Sequence, residues 1–248
     1  MAYRKDTEGA EFFLSNGPPS LESMVLEGER PLVTVEAVVF SLVAGDLCVL
    51  LAQRSGQPFA GRWALPGGFV GRGESLEAAA GRVLAEEAGV YQAHLEQLYT
   101  FGDPGRDPQA RIISVVYLAL AQAAGGESKI QNPKSKIAWF SAYALPPLVL
   151  DHQQIVEYAL AQLRHQLEYT VVAFRLLPDL FTLSELQQSY ELILGETLDK
   201  RNFRRKVLSA GILLDTGKKR QEGEGRPARL YCIRNGAAVE AKTRRLFP

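Results

Sequence analysis

The sequence predicts an α/β domain followed by a smaller domain of helices and a β-hairpin. Strand-like segments rich in β-branched residues alternate with amphipathic helical segments over residues 31–168, whereas two helical segments and then two strand segments follow in residues 169–248. Charge divides the chain at the same place: residues 1–169 hold 13 Lys and Arg against 19 Asp and Glu, and residues 170–248 hold 15 against 9. Residues 1–30 are polar and interrupted by glycine and proline, which predicts an N-terminal arm.

Composition excludes several classes of protein. Hydrophobic residues make up 46% and charged residues 23% of the chain, which is typical of a globular protein and not of a disordered one. No apolar stretch approaches the length of a membrane span, and the first residues lack the apolar core of a secretion signal. Cys48 and Cys232 lie in separate apolar segments and predict no disulfide framework. We therefore expect a cytoplasmic protein with no membrane partner.

In the first domain, the order of elements follows from periodicity and turn residues. A turn at residues 44–46 joins two β-branched segments into a hairpin, and Gly89 stands where a helix would end. Residues 54–73 contain six glycines and are predicted to be a loop. The predicted strands are Val33–Phe40, Leu47–Gln53, Leu95–Phe101, Arg111–Ala121 and Ala138–Ser141, and the predicted helices are Ser75–Ala88 and Asp151–Leu167.

The second domain has the element order of a winged helix-turn-helix. Thr182 and Glu185 have the spacing of a capping box, which predicts a helix from there to about Leu194. A second helix is predicted at Asp199–Ala210, ending before Gly211. Two strands, Ile212–Thr216 and Arg229–Arg234, then flank a glycine-rich basic loop at residues 217–227.

A spaced motif in residues 62–90 carries the chemistry of the first domain. Its members are Gly68, Glu74, Arg82, Leu84, Glu86, Glu87, Gly89 and Val90, preceded by Trp63, Leu65, Pro66 and Gly67. This pattern closely resembles the Nudix box, which runs Gly, five residues, Glu, seven residues, Arg-Glu, and then an apolar residue and a Glu pair. The resemblance implies the Nudix α/β/α sandwich with a mixed sheet for about residues 31–165.

One position of the box departs from the family. Small residues let a backbone approach a diphosphate, and carboxylates on one helix face can converge on Mg²⁺. Val83 stands where the family has a glutamate, and valine can neither bind a metal nor take a proton. We therefore expect no catalytic residue and no required cofactor, with Mg²⁺ held weakly at most by Glu86 and Glu87. Binding does not need the lost group, and the candidate effector-binding residues are Arg54, Arg62, Gly67, Gly68, Arg82 and Glu86.

The second predicted helix of the C-terminal domain has the composition of a DNA recognition helix. Leu198, Phe203, Val207 and Leu208 can form an apolar face, while basic residues and an asparagine cover the remainder. Base contacts are assigned to Arg201, Asn202 and Arg205, and phosphate contacts to Lys206, Lys218, Lys219 and Arg220. The full set of candidate DNA-binding residues is Lys200, Arg201, Asn202, Arg204, Arg205, Lys206, Lys218, Lys219, Arg220 and Arg226.

Four segments of the second domain extend the resemblance to a named family. Residues Ala173–Pro178, Phe181–Leu186, Leu198–Lys206 and Gly225–Tyr231 resemble the C-terminal region of Nudix-related transcriptional regulators, of which the NrtR-type regulators of bacterial NAD metabolism are one branch. The resemblance implies a homodimeric repressor of NAD-metabolism genes that binds a palindromic operator in double-stranded DNA and is released by ADP-ribose.

Two alternatives remain open from the sequence. One is an active Nudix ADP-ribose pyrophosphatase with an accessory DNA-binding domain, and Val83 argues against it. The other is a regulator of the same architecture that responds to a sugar instead of a nucleotide. The histidines His94, His152 and His165 are scattered and predict neither a zinc site nor a catalytic triad. The Asp151–Leu167 helix and the N-terminal arm are the candidate dimer surfaces.

Overall fold

A computed structural model describes residues 30–91, 93–122, 136–167, 172–221 and 227–234. Within these ranges, no helix is long and apolar enough to cross a membrane. Three sequence predictions lie outside them: the N-terminal arm apart from its last residue, the boundary between the domains at residue 169, and the DNA contact of Arg226.

The first domain is built on a mixed β-sheet, with seven strands in the part of the chain that the structure describes. The strand order is β3-β2-β1-β6-β5, with β4 also pairing with β1 and β7 with β2. Strands β1 and β6 run parallel and the other pairs are antiparallel. The strands are β1 (Leu32–Val43), β2 (Asp46–Gln53), β3 (Trp63–Ala64), β4 (Gly67–Phe69), β5 (His94–Phe101), β6 (Ile112–Leu120) and β7 (Lys136–Ser141).

One helix covers each face of this sheet, which confirms the predicted α/β/α sandwich. Helix α1 (Leu76–Ala88) packs on the face that carries Val35, and helix α2 (His152–Leu167) packs on the face that carries Val38. Alternation along β1 sends successive side chains to opposite faces, so Glu36 lies on the same side as Val38, beneath α2. The Glu36 carboxylate thus lies inside the fold, at the edge of a cleft.

Local sequence explains where α1 begins and ends. The Ser75 hydroxyl accepts from the Ala78 amide at the first turn, and Gly89 ends the helix in the left-handed region at φ 63°. The loop prediction for residues 54–73 was wrong in part, because β3 and β4 lie within it. These strands have two and three residues, too few to show an alternating pattern. A Cβ at Gly67 would lie 2.9 Å from Glu36 Cγ, so glycine is what lets β4 approach β1.

The second domain is a winged helix, as predicted. A 3₁₀ helix (Val172–Leu176) leads to α3 (Leu183–Leu194), α4 (Lys200–Ser209) and the hairpin of β8 (Leu213–Arg220) and β9 (Ala228–Ile233). Its buried side chains join those beneath α2 in one continuous apolar core. Two details of the prediction were wrong. Lys218, Lys219 and Arg220 belong to β8 and not to a loop, and Leu208 is 49% exposed and lies outside the apolar face of α4.

The capping box at the start of α3 is present and gives the first testable prediction. Thr182 Oγ1 accepts from the Glu185 amide at 3.1 Å, and Glu185 Oε2 accepts from the Thr182 amide at 2.7 Å. We expect Thr182→Ala to lower the free energy of unfolding of this domain by about 1 kcal/mol. Chemical denaturation measures the change, and Thr197→Ala, at an exposed position, is the control. A loss no larger than that of the control would contradict the role of the cap.

Candidate effector cleft and nucleic-acid interface

A cleft of about 790 Å³ opens beside the motif of the first domain. It lies between strands β1, β2 and β4, the C-terminal half of α1, the loop after β5 and the start of α2. Among the predicted effector-binding residues, four line this cleft: Arg54, Gly67, Gly68 and Glu86. Glu87 lines it as well. Arg62 and Arg82 are not among the lining residues that the structure describes.

Arg82 instead holds the motif together. Its guanidinium donates to both oxygens of Glu74, from Nη2 to Oε1 at 2.6 Å and from Nε to Oε2 at 3.0 Å, and Nη2 also reaches the Phe69 carbonyl at 3.1 Å. These hydrogen bonds, with one from the Gly71 amide, lower the pKa of Glu74 to about 2. Nη1 approaches Glu86 Oε2 at 3.4 Å. The role of Arg82 is therefore to position the glycine loop and the acidic residues around it.

Val83 packs in the core at the position where the family box has a glutamate. Its side chain is 2% exposed and lies against Val35, Ala79 and Ala80. It also packs closely against β4, since a Cβ at Gly68 would lie 3.1 Å from Val83 Cγ2. The residue that should supply an acid to the cleft thus supplies only an apolar contact.

The remaining acids do not fit a catalytic metal centre. Glu86 and Glu87 line the cleft, but no group of three or more His, Cys, Asp or Glu within the described ranges is arranged to hold a metal ion. The Glu74 carboxylate forms an ion pair with Arg82. Burial raises the pKa of Glu87, although the Gly67 amide, at 3.4 Å, opposes this.

The floor of the cleft holds a buried charge cluster that the sequence analysis missed. Arg106, in the loop after β5, donates to Asp151 from Nε at 2.9 Å and from Nη2 at 2.8 Å. The same Nη2 lies 3.2 Å from Glu36 Oε1, and His152 Nε2 lies 3.6 Å from that oxygen. The Leu65 amide donates to His152 Nδ1 at 2.9 Å, and the other ring nitrogen, Nε2, faces Glu36. We name Glu36, Arg106, Asp151 and His152 the floor cluster.

Motif spacing could not predict the floor cluster, because its members come from three segments that are far apart in the sequence. His152 was interpreted as a core or surface histidine, and it is indeed buried, but with a polar partner on each ring nitrogen. One signal is present in the sequence: Glu36 is the charged residue of a strand rich in apolar and β-branched residues. A buried carboxylate requires a partner, so this residue indicates a cation elsewhere in the chain.

The floor cluster predicts how stability depends on pH. Burial raises the pKa of Glu36, but His152 and Arg106 lower it more, to about 2 from an ordinary 4.5. Glu36 therefore stabilises the fold fully above about pH 4.5, and this contribution falls as the pH drops towards 2. We expect Glu36→Gln to lose less stability than the wild type between pH 5 and 3, measured by urea unfolding. Glu157→Gln, on an exposed face of α2, is the control, and parallel pH profiles for wild type and Glu36→Gln would contradict this assignment.

In the second domain, α4 presents its predicted basic surface. Phe203 and Val207 are buried and dock the helix, with Phe203 edge-on to Tyr190. Lys200, Arg201, Asn202 and Arg205 are exposed, whereas Arg204 and Lys206 are half-buried. Three of these side chains have partners: Arg205 donates to Asn202 Oδ1 at 2.9 Å, and Arg204 donates to Ser184 Oγ at 3.0 Å. The helix thus offers a cationic face that is open to a groove of DNA.

The strands of the wing extend this surface. Lys218 and Lys219 are exposed on β8. Arg220 forms an ion pair with Glu185 at the start of α3, so it joins the wing to the helices. Arg229 pairs with Asp215 at 2.8 Å across the hairpin. Of the three predicted wing cations that the structure describes, two are therefore exposed and one serves the packing of the domain.

Comparisons with known proteins agree with this architecture. Residues 33–159 match the NUDIX domain, and residues 173–233 match the NrtR DNA-binding winged helix domain. The chain is 39% identical over 204 residues to an ADPR responsive transcriptional repressor of Acinetobacter baylyi, covering 81% of each chain. The crystal structure of Shewanella oneidensis NrtR with a 27mer DNA superposes with a TM-score of 0.74 at 39% identity, covering 86% of this chain and 96% of that one. The NUDIX domain of Shewanella oneidensis NrtR complexed with ADP ribose gives a TM-score of 0.50 at 35% identity, covering 62% and 97%.

Proposed function

We infer the function of this chain from its family, because it belongs to the NrtR-type transcriptional regulators, which join a Nudix domain to a DNA-binding winged helix. We propose that a homodimer represses genes of NAD metabolism from a palindromic operator, and that ADP-ribose in the Nudix cleft releases it. One observation carries this proposal: Gly67 and Gly68 still line the cleft, while Val83 fills the catalytic position with an apolar side chain. Such a site can bind a ligand without consuming it.

The shape and chemistry of the cleft support a nucleotide ligand. Its volume of about 790 Å³ lies within the range for small-molecule sites, about 300–1,000 Å³. Gly67 and Gly68 line the cleft and carry no side chain that would exclude a diphosphate, and Arg54 lines it as a cation. The Acinetobacter baylyi relative is described as ADPR responsive, and the related Shewanella oneidensis domain was crystallised with ADP ribose. ADP-ribose is therefore the first ligand to test.

The proposed DNA contacts follow from exposure on α4 and β8. Arg201 and Asn202, in the first turn of α4, are the proposed base-reading residues, with Arg205 one turn later. Lys200, Arg204, Lys206, Lys218 and Lys219 are proposed to contact phosphates. Two winged helices in a symmetric dimer would read two half-sites, about one helical turn or a multiple of it apart.

Residual hydrolysis is the competing function, since Glu86 and Glu87 line the cleft and could share a weakly bound Mg²⁺. Loss of a general acid or base commonly costs about 10²–10⁴-fold in rate. The packing of Val83 leaves no acid at that position, so we expect ADP-ribose to stay intact in the presence of the protein and Mg²⁺. Sustained release of AMP would favour the hydrolase instead.

The deciding experiment measures ligand and DNA binding on the full chain. A duplex is first selected from a random pool by the protein, and its affinity is measured by fluorescence anisotropy with and without ADP-ribose. Calorimetry gives the affinity for ADP-ribose, with Arg54→Ala expected to weaken it and Arg72→Ala, in the exposed loop before α1, as the matched control. Binding of ADP-ribose that weakens the DNA complex supports the proposal. DNA binding that responds only to a sugar such as arabinose would overturn the assigned effector.

A further inference from the structure

Helix α2 connects the two functional regions of the molecule. Asp151 and His152 stand at its start and belong to the floor cluster of the cleft. Arg164, near its end, donates from Nε to the Ile193 carbonyl of α3 at 3.0 Å. The helix has 16 residues, which makes it about 24 Å long. One rigid element thus contacts the ligand cleft at one end and the DNA-binding domain at the other.

The contact at the far end involves two side chains of the Nudix domain. Tyr143, in the turn after β7, donates its hydroxyl to the Ile193 carbonyl at 2.9 Å and contacts the Leu192 carbonyl. The Arg164 guanidinium lies over the Tyr143 ring, 5.6 Å from its centroid. We name Tyr143 and Arg164 the carbonyl clamp. Carbonyls in the last turn of a helix lack partners within it, so the clamp supplies what α3 otherwise needs from water.

Helix α3 in turn fixes the recognition helix. Glu191 Oε1 accepts from the Leu198 amide at 2.8 Å, and Gln187 donates to the Leu198 carbonyl at 3.0 Å. Together these bonds hold the turn that leads into α4, while Tyr190 packs against Phe203 of α4. If the last turn of α3 moves, these contacts therefore move α4, which carries the proposed base-reading residues, with it.

The input end places a buried cation at the floor of the cleft. The Arg106 side chain lines the cleft, is 2% exposed, and shares its guanidinium between Asp151, the residue before α2, and Glu36 on β1. A diphosphate that approaches Arg106 competes with Asp151 for the same donors. Because Asp151 stands at the start of α2, weakening this pair changes how that helix is held against the sheet. The interior is densely packed, so a helix responds by shifting as a unit.

We propose that α2 transmits occupancy of the cleft to the recognition helix, with the Arg106–Asp151 ion pair as its input and the carbonyl clamp as its output. This rests on the proposed function, since it assumes an effector in the cleft and DNA on α4. Tyr143 and Arg164 are then positioning residues that touch neither ligand. The specific expectation is that breaking the clamp leaves both binding sites intact but uncouples them.

The first test measures coupling on the full chain. For each variant, the factor by which saturating ADP-ribose weakens binding to the selected duplex is compared with the wild-type factor, which for allosteric proteins is about 5–150. We expect Tyr143→Phe and Arg164→Gln to lower this factor at least about fivefold while ADP-ribose affinity changes by less than about twofold. The matched controls are Tyr91→Phe, at an 81% exposed ring, and Gln153→Ala, on an exposed turn of α2. A factor equal to the wild type in both clamp variants overturns the proposal.

A second test needs no ligand, so it separates failure of the effector assignment from failure of the coupling. Hydrogen exchange by mass spectrometry compares Asp151→Asn with the wild type. We expect faster exchange in the last turn of α3 and in α4, and no such change in Gln153→Ala. Arg106→Lys, which keeps the charge but not the two-pronged contact, replaces Asp151→Asn should that variant not fold. Exchange that rises at the start of α2 but not in α3 or α4 overturns the proposal even where ADP-ribose binds.

Discussion

Arg106→Met is expected to lower the free energy of unfolding by about 3–5 kcal/mol, the cost typical of breaking a buried ion pair by removing one partner. Arg106 is 7% exposed and is shared between Asp151 and Glu36. Methionine fills a similar volume but leaves two carboxylates in an environment with little water. Urea denaturation of the full chain measures the effect. Arg111→Met is the control, because the side chain of that half-buried arginine donates to the neighbouring Ile112 carbonyl at 3.2 Å and has no acidic partner within the described ranges.

A triple variant identifies the cause of this loss. When Glu36→Leu and Asp151→Asn are added to Arg106→Met, the uncompensated charges are gone, and we expect more than half of the lost stability to return. If the triple variant is no more stable than Arg106→Met alone, the loss comes from packing around the arginine and not from unpaired charge. The same triple variant should bind ADP-ribose poorly, since Arg106 faces the cleft.

Alanine at Arg201 or Asn202 is expected to weaken binding to the selected duplex by about 1–3 kcal/mol each, roughly 5- to 150-fold. Both side chains are exposed in the first turn of α4, where a recognition helix meets base edges. The loss should be largest for the selected sequence and small for an unrelated duplex, because base contacts carry sequence information and phosphate contacts do not. Anisotropy titrations with both duplexes measure this difference.

Two comparisons make the result interpretable. Arg175→Ala, at an exposed arginine outside α4, is the control for general loss of positive charge. Lys218→Ala and Lys219→Ala should weaken binding to both duplexes equally. Each should also lower the slope of log affinity against log salt concentration by about one. Equal losses on both duplexes for Arg201→Ala and Asn202→Ala would move these residues to the phosphate-contacting group.

Much of the fold could be predicted because its signals are local. The Thr182 capping box, the terminating Gly89 and the β-branched composition of β1 each act within a few residues. The DNA surface was predictable for the same reason, since a cationic helix face is visible in ten consecutive residues. Strands β3 and β4 were missed because tertiary pairing, and not their own sequence, makes them extended.

The candidate site was only half predictable. The motif gave the glycine loop and the acids of α1, whose spacing is fixed by one turn and one helix. It also suggested that Arg82 faces the ligand, whereas in the structure the Arg82 guanidinium forms an ion pair with Glu74. The floor cluster and the carbonyl clamp depend on pairs that are far apart in sequence, such as Glu36 with Arg106 and Tyr143 with Ile193. No spacing rule reports such pairs, so only the fold reveals them.

The parallel pairing of β1 with β6 also sets the order in which the protein can mature on the ribosome. Leu32 pairs with Ile112 and Phe40 with Leu120, so the centre of the sheet closes only after most of the first domain has been synthesised. The hairpin of β1 and β2 needs only neighbouring residues and can form early. Asp151 and His152 arrive later still, and the floor of the cleft is incomplete before them. A nascent or prematurely terminated chain that ends before α2 therefore lacks both the complete cleft and the DNA-binding surface.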